Sequence, residues 1–289
     1  PEATNKMTGN ISQCAVCGKG RDDLKACTAC KLAKYSSVTC QKAHRAKHKN
    51  ECRGRAVELF DEALFQQPPP KEDCPICFLP LQFGPEYTRC YPCCCKVLCS
   101  RCVNIQPHCP FCRTPDVTSH EEVIERCKKR MVANDANAFL MLGGLYHEGG
   151  RGLPQDLKKS IGPLLRASEL GSLHAHYHLG QAYYDGEGVE KDMKKAIHHW
   201  ERAAMGGHDA ARHNLGAWEW KHNSNYNRAK KHFMIAASSG YDNSLKNIRE
   251  MFMAGQVTKE EFEKTLRAHK DSQDEMKSDQ RDRAVDGIL

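Results

Sequence analysis

The amino-acid sequence predicts two small α+β modules that are stabilised by metal ions, followed by an all-α helical-repeat solenoid. The first observation behind this prediction is the position of the cysteines. Of 17 cysteines in 289 residues, sixteen lie between Cys14 and Cys112, and only Cys127 follows. The second observation is a helical pattern that recurs three times after residue 135. The two parts of the chain are therefore different kinds of protein.

The cysteines are spaced for metal binding rather than for disulfides. Most form Cys-x-x-Cys pairs, in which both thiolates can reach one ion but are poorly placed to bridge each other. The opening residues, 1–6, are polar, and no apolar segment typical of a secretory signal follows them. We therefore expect zinc-stabilised modules in a reducing intracellular compartment, the cytoplasm or the nucleus.

Charge and hydropathy exclude some classes of partner. No apolar run approaches the roughly 18 residues that a membrane helix needs, so no membrane partner is expected. The net charge of +7 arises from 43 basic and 36 acidic residues. This excess is mild, and ionised cysteine ligands would offset part of it. It is weak evidence for nucleic acid, which we do not expect as a partner.

The spacing of cysteine and histidine in residues 14–52 is typical of zinc-binding modules. It consists of two Cys-x-x-Cys pairs followed by further cysteine and histidine residues. His48 and Cys52 are four residues apart, which places both side chains on one face of a helix. The ligand-type residues are Cys14, Cys17, Cys27, Cys30, Cys40, His44, His48 and Cys52.

This pattern, which includes Tyr35 and the step from Cys40 to Gln41, resembles the MYND zinc finger, a family that binds two zinc ions in an interleaved way. The resemblance implies peptide binding, because the family typically docks short proline-containing peptides. It also implies two ligand sets: Cys14, Cys17, Cys40 and residue 36 for one ion, and Cys27, Cys30, His48 and Cys52 for the other.

The chain departs from the family at Ser36, where the family has cysteine. The first ion is left with three thiolates, because a serine hydroxyl stays protonated near neutral pH and is a poor zinc ligand. Water or His44 could fill the fourth position, and we interpret the site as a degenerate structural one. The pattern of residues 53–73 predicts a helical linker that ends in the run Pro68-Pro69-Pro70.

Residues 74–113 contain ten cysteines and too little apolar bulk for a conventional core. Four ordered clusters supply eight ligands, and the pattern resembles a RING finger of an all-cysteine type. The interleaved scheme of that family implies Cys74, Cys77, Cys99 and Cys102 for one zinc, and Cys93, Cys109, Cys112 and either Cys94 or Cys95 for the other.

The choice between Cys94 and Cys95 stays open at the level of sequence. Cys95 suits the spacing with one residue between ligands, and we prefer it slightly. Cys94 suits all-cysteine relatives with a Cys-Cys-Gly-Lys run, in which Cys95 occupies the glycine position. With the first module included, we expect three to four zinc ions.

The resemblance also implies a partner-binding surface. In ubiquitin ligases of the RING family, an apolar residue within the first Cys-x-x-Cys pair and a proline within the last pair contact the ubiquitin-conjugating enzyme. A basic residue after the final cysteine positions the ubiquitin that the enzyme carries. This chain has Ile76, Pro110 and Arg113 at those positions. However, the stretch 103–108 lacks the tryptophan that many such ligases carry.

Helical repeats follow the cysteine-rich part. Residues 116–133 predict a bridging helix, with Cys127 as a buried structural thiol. Residues 136–240 resemble Sel-one-like repeats, relatives of the tetratricopeptide repeat, in three units of which the third lacks the glycine-rich loop. Residues 241–286 read as capping helices and a charged tail. Equivalent small and bulky residues recur in the units: Gly143, Gly180 and Gly216, and Leu164, Trp200 and Phe233.

The repeats are rich in histidine, but we do not expect a metal site there. His174, His176 and His178 alternate along one helix, so they do not share a face.

Two functions therefore stay open. The chain is either a zinc-binding adaptor that acts as a RING-type ubiquitin ligase, recruiting a conjugating enzyme through the RING-like module and a peptide or substrate protein through the repeats, or a non-enzymatic scaffold that binds proteins through the MYND-like finger and the solenoid. Neither hypothesis requires a catalytic residue that forms a covalent intermediate.

Overall fold

The computed structural model describes residues 13–20, 23–81, 88–103, 108–115, 117, 119–149 and 153–276. The chain divides into two compact units, residues 1–66 and residues 67–289. The predicted order of architectures is confirmed: a small cysteine-rich part with short strands precedes a solenoid of helices. Among the described residues, none of the helices combines the length and the apolar composition that a membrane span requires.

The first unit contains one small hairpin and one long helix. Strands β1 (Lys25–Ala26) and β2 (Lys34–Tyr35) pair antiparallel. Helix α1 (Val38–Leu64) begins where the Ser37 side chain accepts a hydrogen bond from the backbone N–H of Cys40, at 3.2 Å. The zinc-ligand helix and the linker helix that the sequence predicts are thus one continuous helix of 27 residues.

The second unit begins with the RING-like module. Strands β3 (Thr88–Cys90) and β4 (Val97–Cys99) pair antiparallel, and the short helix α2 (Ser100–Val103) follows directly. Most of the buried cluster of this module is cysteine, together with Tyr91, Leu98 and Val103. The module therefore lacks the apolar volume of an ordinary core, as its composition predicts.

The rest of the second unit is a row of antiparallel helices. Pairs α4/α5, α6/α7 and α8/α9 lie within the stretch where the three repeats are predicted, and consecutive helices pack against each other along the row. The charged tail predicted after these helices lies mostly outside the described residues. The helices are α3 (His120–Met131), α4 (Ala136–Glu148), α5 (Leu157–Glu169), α6 (Leu173–Asp185), α7 (Met193–Met205), α8 (Asp209–His222), α9 (Tyr226–Ser238), α10 (Asp242–Met253) and α11 (Lys259–Glu275).

A glycine in the first helix of each repeat allows the second helix to approach closely. A Cβ added at Gly143 would lie 2.8 Å from Cγ of Leu164, which is closer than van der Waals contact. The third repeat keeps this packing although its loop is degenerate. The recurring small and bulky residues meet in pairs in all three units: Gly143 with Leu164, Gly180 with Trp200, and Gly216 with Phe233.

Each of the three helix pairs is followed by a glycine. Gly171, Gly207 and Gly240 follow the second helices with φ between 91° and 97°, a conformation that glycine adopts without strain. Helix α11 begins with a capping box, in which Thr258 and Glu261 exchange hydrogen bonds between side chain and backbone.

Candidate metal centres

The first unit holds a complete set of four metal ligands. The side-chain donor atoms of Cys27, Cys30, His48 and Cys52 all lie within 4.8 Å of one another. Nε2 of His48 is 3.1 Å from Sγ of Cys30, and its Nδ1 faces Oε2 of Glu51 at 3.6 Å. Nε2 of His48 therefore faces the three thiols, and Nδ1 faces away from them. This is an S₃N site suited to zinc.

A second cluster of the same unit has three thiols. Sγ atoms of Cys14, Cys17 and Cys40 lie within 4.8 Å of one another. Oγ of Ser36 is 3.3 Å from Sγ of Cys17 and 3.6 Å from Sγ of Cys40. The backbone N–H of Cys17, followed by the Ser36 hydroxyl, lowers the pKa of the Cys14 thiol to about 5. The cluster therefore favours the thiolate form that binds metal.

His44 does not join the three-thiol cluster. Its Nδ1 is 3.1 Å from Oη of Tyr35, and its ring stacks on His48 with centroids 5.3 Å apart. His44 thus lies beside the complete S₃N site. The side chain beside the three thiols is therefore that of Ser36, and His44 does not supply the fourth ligand.

The RING-like module contains two four-cysteine clusters. In the first, Cys74, Cys77, Cys99 and Cys102 converge, with Sγ of Cys77 3.8 Å from Sγ of Cys99. Burial raises the pKa of Cys74, but backbone N–H groups of Cys77, Cys99 and Ile76 outweigh it and lower that pKa to about 7. Four thiols with such backbone donors form an S₄ site for zinc.

The second cluster consists of Cys93, Cys94, Cys109 and Cys112. Sγ of Cys112 lies 3.2 Å from Sγ of Cys93, and Sγ of Cys94 lies 3.5 Å from Sγ of Cys109. The Thr114 hydroxyl, 3.0 Å from Sγ of Cys112, is the main cause that lowers the pKa of that thiol to about 6. The structure therefore brings Cys94 into the cluster, whereas the sequence-based preference was Cys95.

Cys94 rather than Cys95 joins the cluster because of a turn that occurs five times among the described residues of the cysteine-rich part. In each turn the last residue has φ between 54° and 66° and donates its backbone N–H to the carbonyl four residues earlier, at 2.7–3.1 Å. In every case the residue before this left-handed position is a clustered cysteine. The turns run from Cys14 to Gly18, Cys27 to Lys31, Cys74 to Phe78, Tyr91 to Cys95 and Cys109 to Arg113.

Cys95 occupies the left-handed position of its turn, so its side chain points away from the metal cluster. It is buried and hydrogen-bonded to the side chain of Cys90, and its carbonyl accepts a hydrogen bond from Nδ2 of Asn137 at 3.2 Å. Cys95 therefore links the RING-like module to helix α4. The sequence did indicate this arrangement: Cys95 stands where all-cysteine relatives have the glycine of their Cys-Cys-Gly-Lys run, which leaves Cys94 as the ligand.

The three residues predicted to bind a partner line one groove. Ile76, Pro110 and Arg113, together with Tyr91 and Val103, border a groove of about 780 Å³. Ile76 is 36% exposed. Ile76 lies within the Cys74–Cys77 pair of the first cluster, whereas Pro110 and Arg113 lie within and directly after the Cys109–Cys112 pair of the second. The groove is therefore lined by residues next to both metal clusters.

Cys127 is a structural thiol, as predicted. It is fully buried, burial raises its pKa to about 12, and its Sγ donates to Sδ of Met141 at 3.4 Å. In the described part of the repeats, no group of three or more side chains is placed to hold a metal ion. His176 and His199 pair instead with each other, Nδ1 to Nδ1 at 2.9 Å.

Two family models match the chain. The MYND finger matches residues 14–52, and the Sel1 repeat matches residues 138–172 and 173–208. The chain thus contains a MYND finger and two Sel1 repeats, and the clusters of residues 74–112 are compatible with an additional RING-like finger. No curated protein matches the chain.

Several solved structures resemble the chain. A Sel1 repeat protein from Oxalobacter formigenes is 25% identical, with a TM-score of 0.45, over 52% of this chain and 64% of that one. The protective antigen c5321 of uropathogenic Escherichia coli, described as having an SLR fold, is 22% identical, with a TM-score of 0.49, over 61% and 38%. The chain thus spans less than two thirds of the length of either protein.

Proposed function

We propose that this protein is a zinc-dependent interaction adaptor whose RING-like module acts as a ubiquitin ligase. The observation that carries the proposal is the convergence of Ile76, Pro110 and Arg113 on one groove. These are the residues that the RING resemblance assigns to contacts with a ubiquitin-conjugating enzyme and with ubiquitin. None of them belongs to a metal cluster, so zinc binding does not by itself require an isoleucine, a proline and an arginine at these positions.

Zinc would stabilise the groove by fixing its two sides. Ile76 lies between the clustered Cys74 and Cys77, and Pro110 lies between Cys109 and Cys112. A structural zinc ion in a small module contributes about 10–16 kcal/mol of apparent binding energy at neutral pH. We propose four ions, one for each of the four cysteine clusters. Their role is structural, and the reaction would be promoted by holding two partners in a reactive geometry.

The other modules would select what is brought to the conjugating enzyme. The chain joins a MYND finger and Sel1 repeats, and Sel1 repeats generally mediate protein–protein interaction. A solenoid offers an extended surface, so one partner could contact several helices at once. We propose a substrate protein on the repeats and a peptide on the MYND finger.

The test is self-ubiquitination of the full chain with a panel of ubiquitin-conjugating enzymes. We expect activity with at least one enzyme, and we expect Ile76→Ala to abolish it at unchanged zinc content. Val132→Ala is the matched control, because Val132 is 87% exposed in the same unit and does not line the groove. Absence of activity with every enzyme, at full zinc content, would support the scaffold function instead.

A further inference from the structure

One of the four cysteine clusters differs from the others in its donor atoms. Two clusters have four thiols, and one has three thiols and an imidazole. The cluster of Cys14, Cys17 and Cys40 has three thiols, and the Ser36 hydroxyl lies at its open corner. A tetrahedral ion held by these three thiolates therefore has one position that no strong protein ligand fills.

The Ser36 hydroxyl contacts two of the three thiols but would be a weak ligand for a metal ion. Its Oγ lies 3.3 Å from Sγ of Cys17 and 3.6 Å from Sγ of Cys40, within the range of hydrogen bonds to sulfur. A serine hydroxyl is neutral at physiological pH, and zinc with three thiolates is a soft centre that prefers sulfur or nitrogen. The hydroxyl can therefore be displaced by a better donor.

The open corner is also accessible. Cys17 is exposed, and Ser36 and Cys40 are partly exposed, whereas Cys74, Cys99 and Cys102 of the first RING-like cluster are buried. The alternative ligand within the chain, His44, is hydrogen-bonded to Tyr35 and stacked on His48. An external ligand could thus reach the ion along the Cys17 side.

We propose that the ion held by Cys14, Cys17 and Cys40 has an exchangeable fourth position that accepts an external thiolate. The incoming thiol releases its proton to solvent, its sulfur binds the ion, and the neutral Ser36 hydroxyl is displaced without any redox change. The product is an S₄ site like the two of the RING-like module. This inference rests on the zinc occupancy proposed above and is independent of ligase activity.

The test uses the full chain loaded with Co²⁺ in place of zinc, titrated with ethanethiol. We expect the sulfur-to-cobalt charge-transfer absorption to rise by about one fourteenth, because one thiolate joins the fourteen of the four clusters. Ethanol, the oxygen analogue, should cause no change. Ser36→Ala should respond like the wild-type protein, whereas Ser36→Cys should not respond, because a fourth protein thiolate fills the position.

Metal content separates the outcomes. Four ions per chain without a response to ethanethiol would overturn the exchangeable position but would leave the proposed occupancy intact. Three ions in the wild-type protein and four in Ser36→Cys would show that the three-thiol cluster does not hold a metal, which overturns both the inference and the proposed count. An equal response of wild-type protein and Ser36→Cys would also overturn the inference.

Discussion

Lys71 and Asp209 form an ion pair that fastens the segment after the proline run to the third repeat. Nζ of Lys71 lies 2.9 Å from Oδ2 of Asp209 and donates to the backbone carbonyl of Ser239 at 3.1 Å. Asp209 is buried at the start of helix α8, where burial raises the pKa of its carboxyl and Lys71 opposes that shift. The pair thus attaches the segment that precedes the first cysteine of the RING-like module to helix α8 and to the end of helix α9.

We expect Lys71→Met to destabilise the second unit by about 3 kcal/mol, because the buried carboxylate of Asp209 would lose its ion-pair partner, although the Ser239 side chain and the charge of Arg212 remain. The double variant Lys71→Met/Asp209→Leu should recover most of that loss, since both charges are then removed. Thermal unfolding followed by circular dichroism measures both effects. Lys259→Met, which removes an exposed partner of Glu263, is the control and should change little. A Lys71→Met variant as stable as this control would contradict the prediction.

Two adjacent glycines of helix α4 should respond differently to the same substitution. A Cβ at Gly143 would lie 2.8 Å from Leu164, which is buried, whereas a Cβ at Gly144 would meet no atom within 4 Å. We expect Gly143→Ala to cost about 1–3 kcal/mol through overpacking, and Gly144→Ala to gain about 0.5–1 kcal/mol through reduced chain entropy. Thermal or urea unfolding compares the two proteins, and equal stabilities would show that close packing does not require Gly143.

The choice of zinc ligand can be tested at two neighbouring cysteines. Cys94→Ser should lower the zinc content by up to one ion per chain and destabilise the RING-like module, because it removes a thiolate from a four-thiol cluster. Cys95→Gly should keep all ions, since Cys95 has φ of 54° and glycine adopts that conformation without strain. Metal analysis after gel filtration measures both. Loss of zinc in Cys95→Gly but not in Cys94→Ser would reverse the assignment.

These neighbouring cysteines also show the limit of prediction from sequence. The repeat units and their recurring small and bulky residues, such as Gly180 and Trp200, could be predicted, because helix packing requires such residues at fixed spacings. The ligand of the second RING-like cluster depends instead on the backbone of one residue. Spacing favoured Cys95, but the left-handed φ at that position turns its side chain toward Cys90. Cysteine spacing does not contain that dihedral angle, and the glycine that all-cysteine relatives have at the position of Cys95 was the signal for it.

The histidine pair between helices α6 and α7 predicts a loss of stability in acid. Burial, followed by the charges of His176, His198 and Lys195, lowers the pKa of His199 to about 4, from an ordinary 6.5. Burial also lowers the pKa of His176, with contributions from Arg202 and His198. The unfolded chain therefore binds more protons, so this stability is fully present above pH 6.5 and is lost as pH falls toward 4.

We expect His199→Gln to reduce that acid sensitivity, because glutamine can still hydrogen-bond to His176 but does not titrate. Between pH 6 and 4.5 the free energy of unfolding should fall less steeply than in the wild-type protein, by up to about 1.4 kcal/mol per pH unit. Urea unfolding at several pH values measures this slope, and both proteins keep the same zinc sites. His222→Gln, at an exposed histidine of helix α8, should leave the slope as it is. An unchanged slope in His199→Gln would exclude the pair as the cause.

Removal of zinc should unfold the cysteine-rich part and leave the solenoid folded. The four described clusters lie within residues 14–112, whereas helices α3 to α11 contain none of their members. Helix α1 should be affected as well, because His48 and Cys52 anchor it to the S₃N site. A chelator should therefore expose residues 13–115 to limited proteolysis while residues 119–276 stay protected and most of the helical circular dichroism persists. Zinc added back is the control, and near-complete loss of the helical signal would show that the repeats depend on the metal sites for their fold.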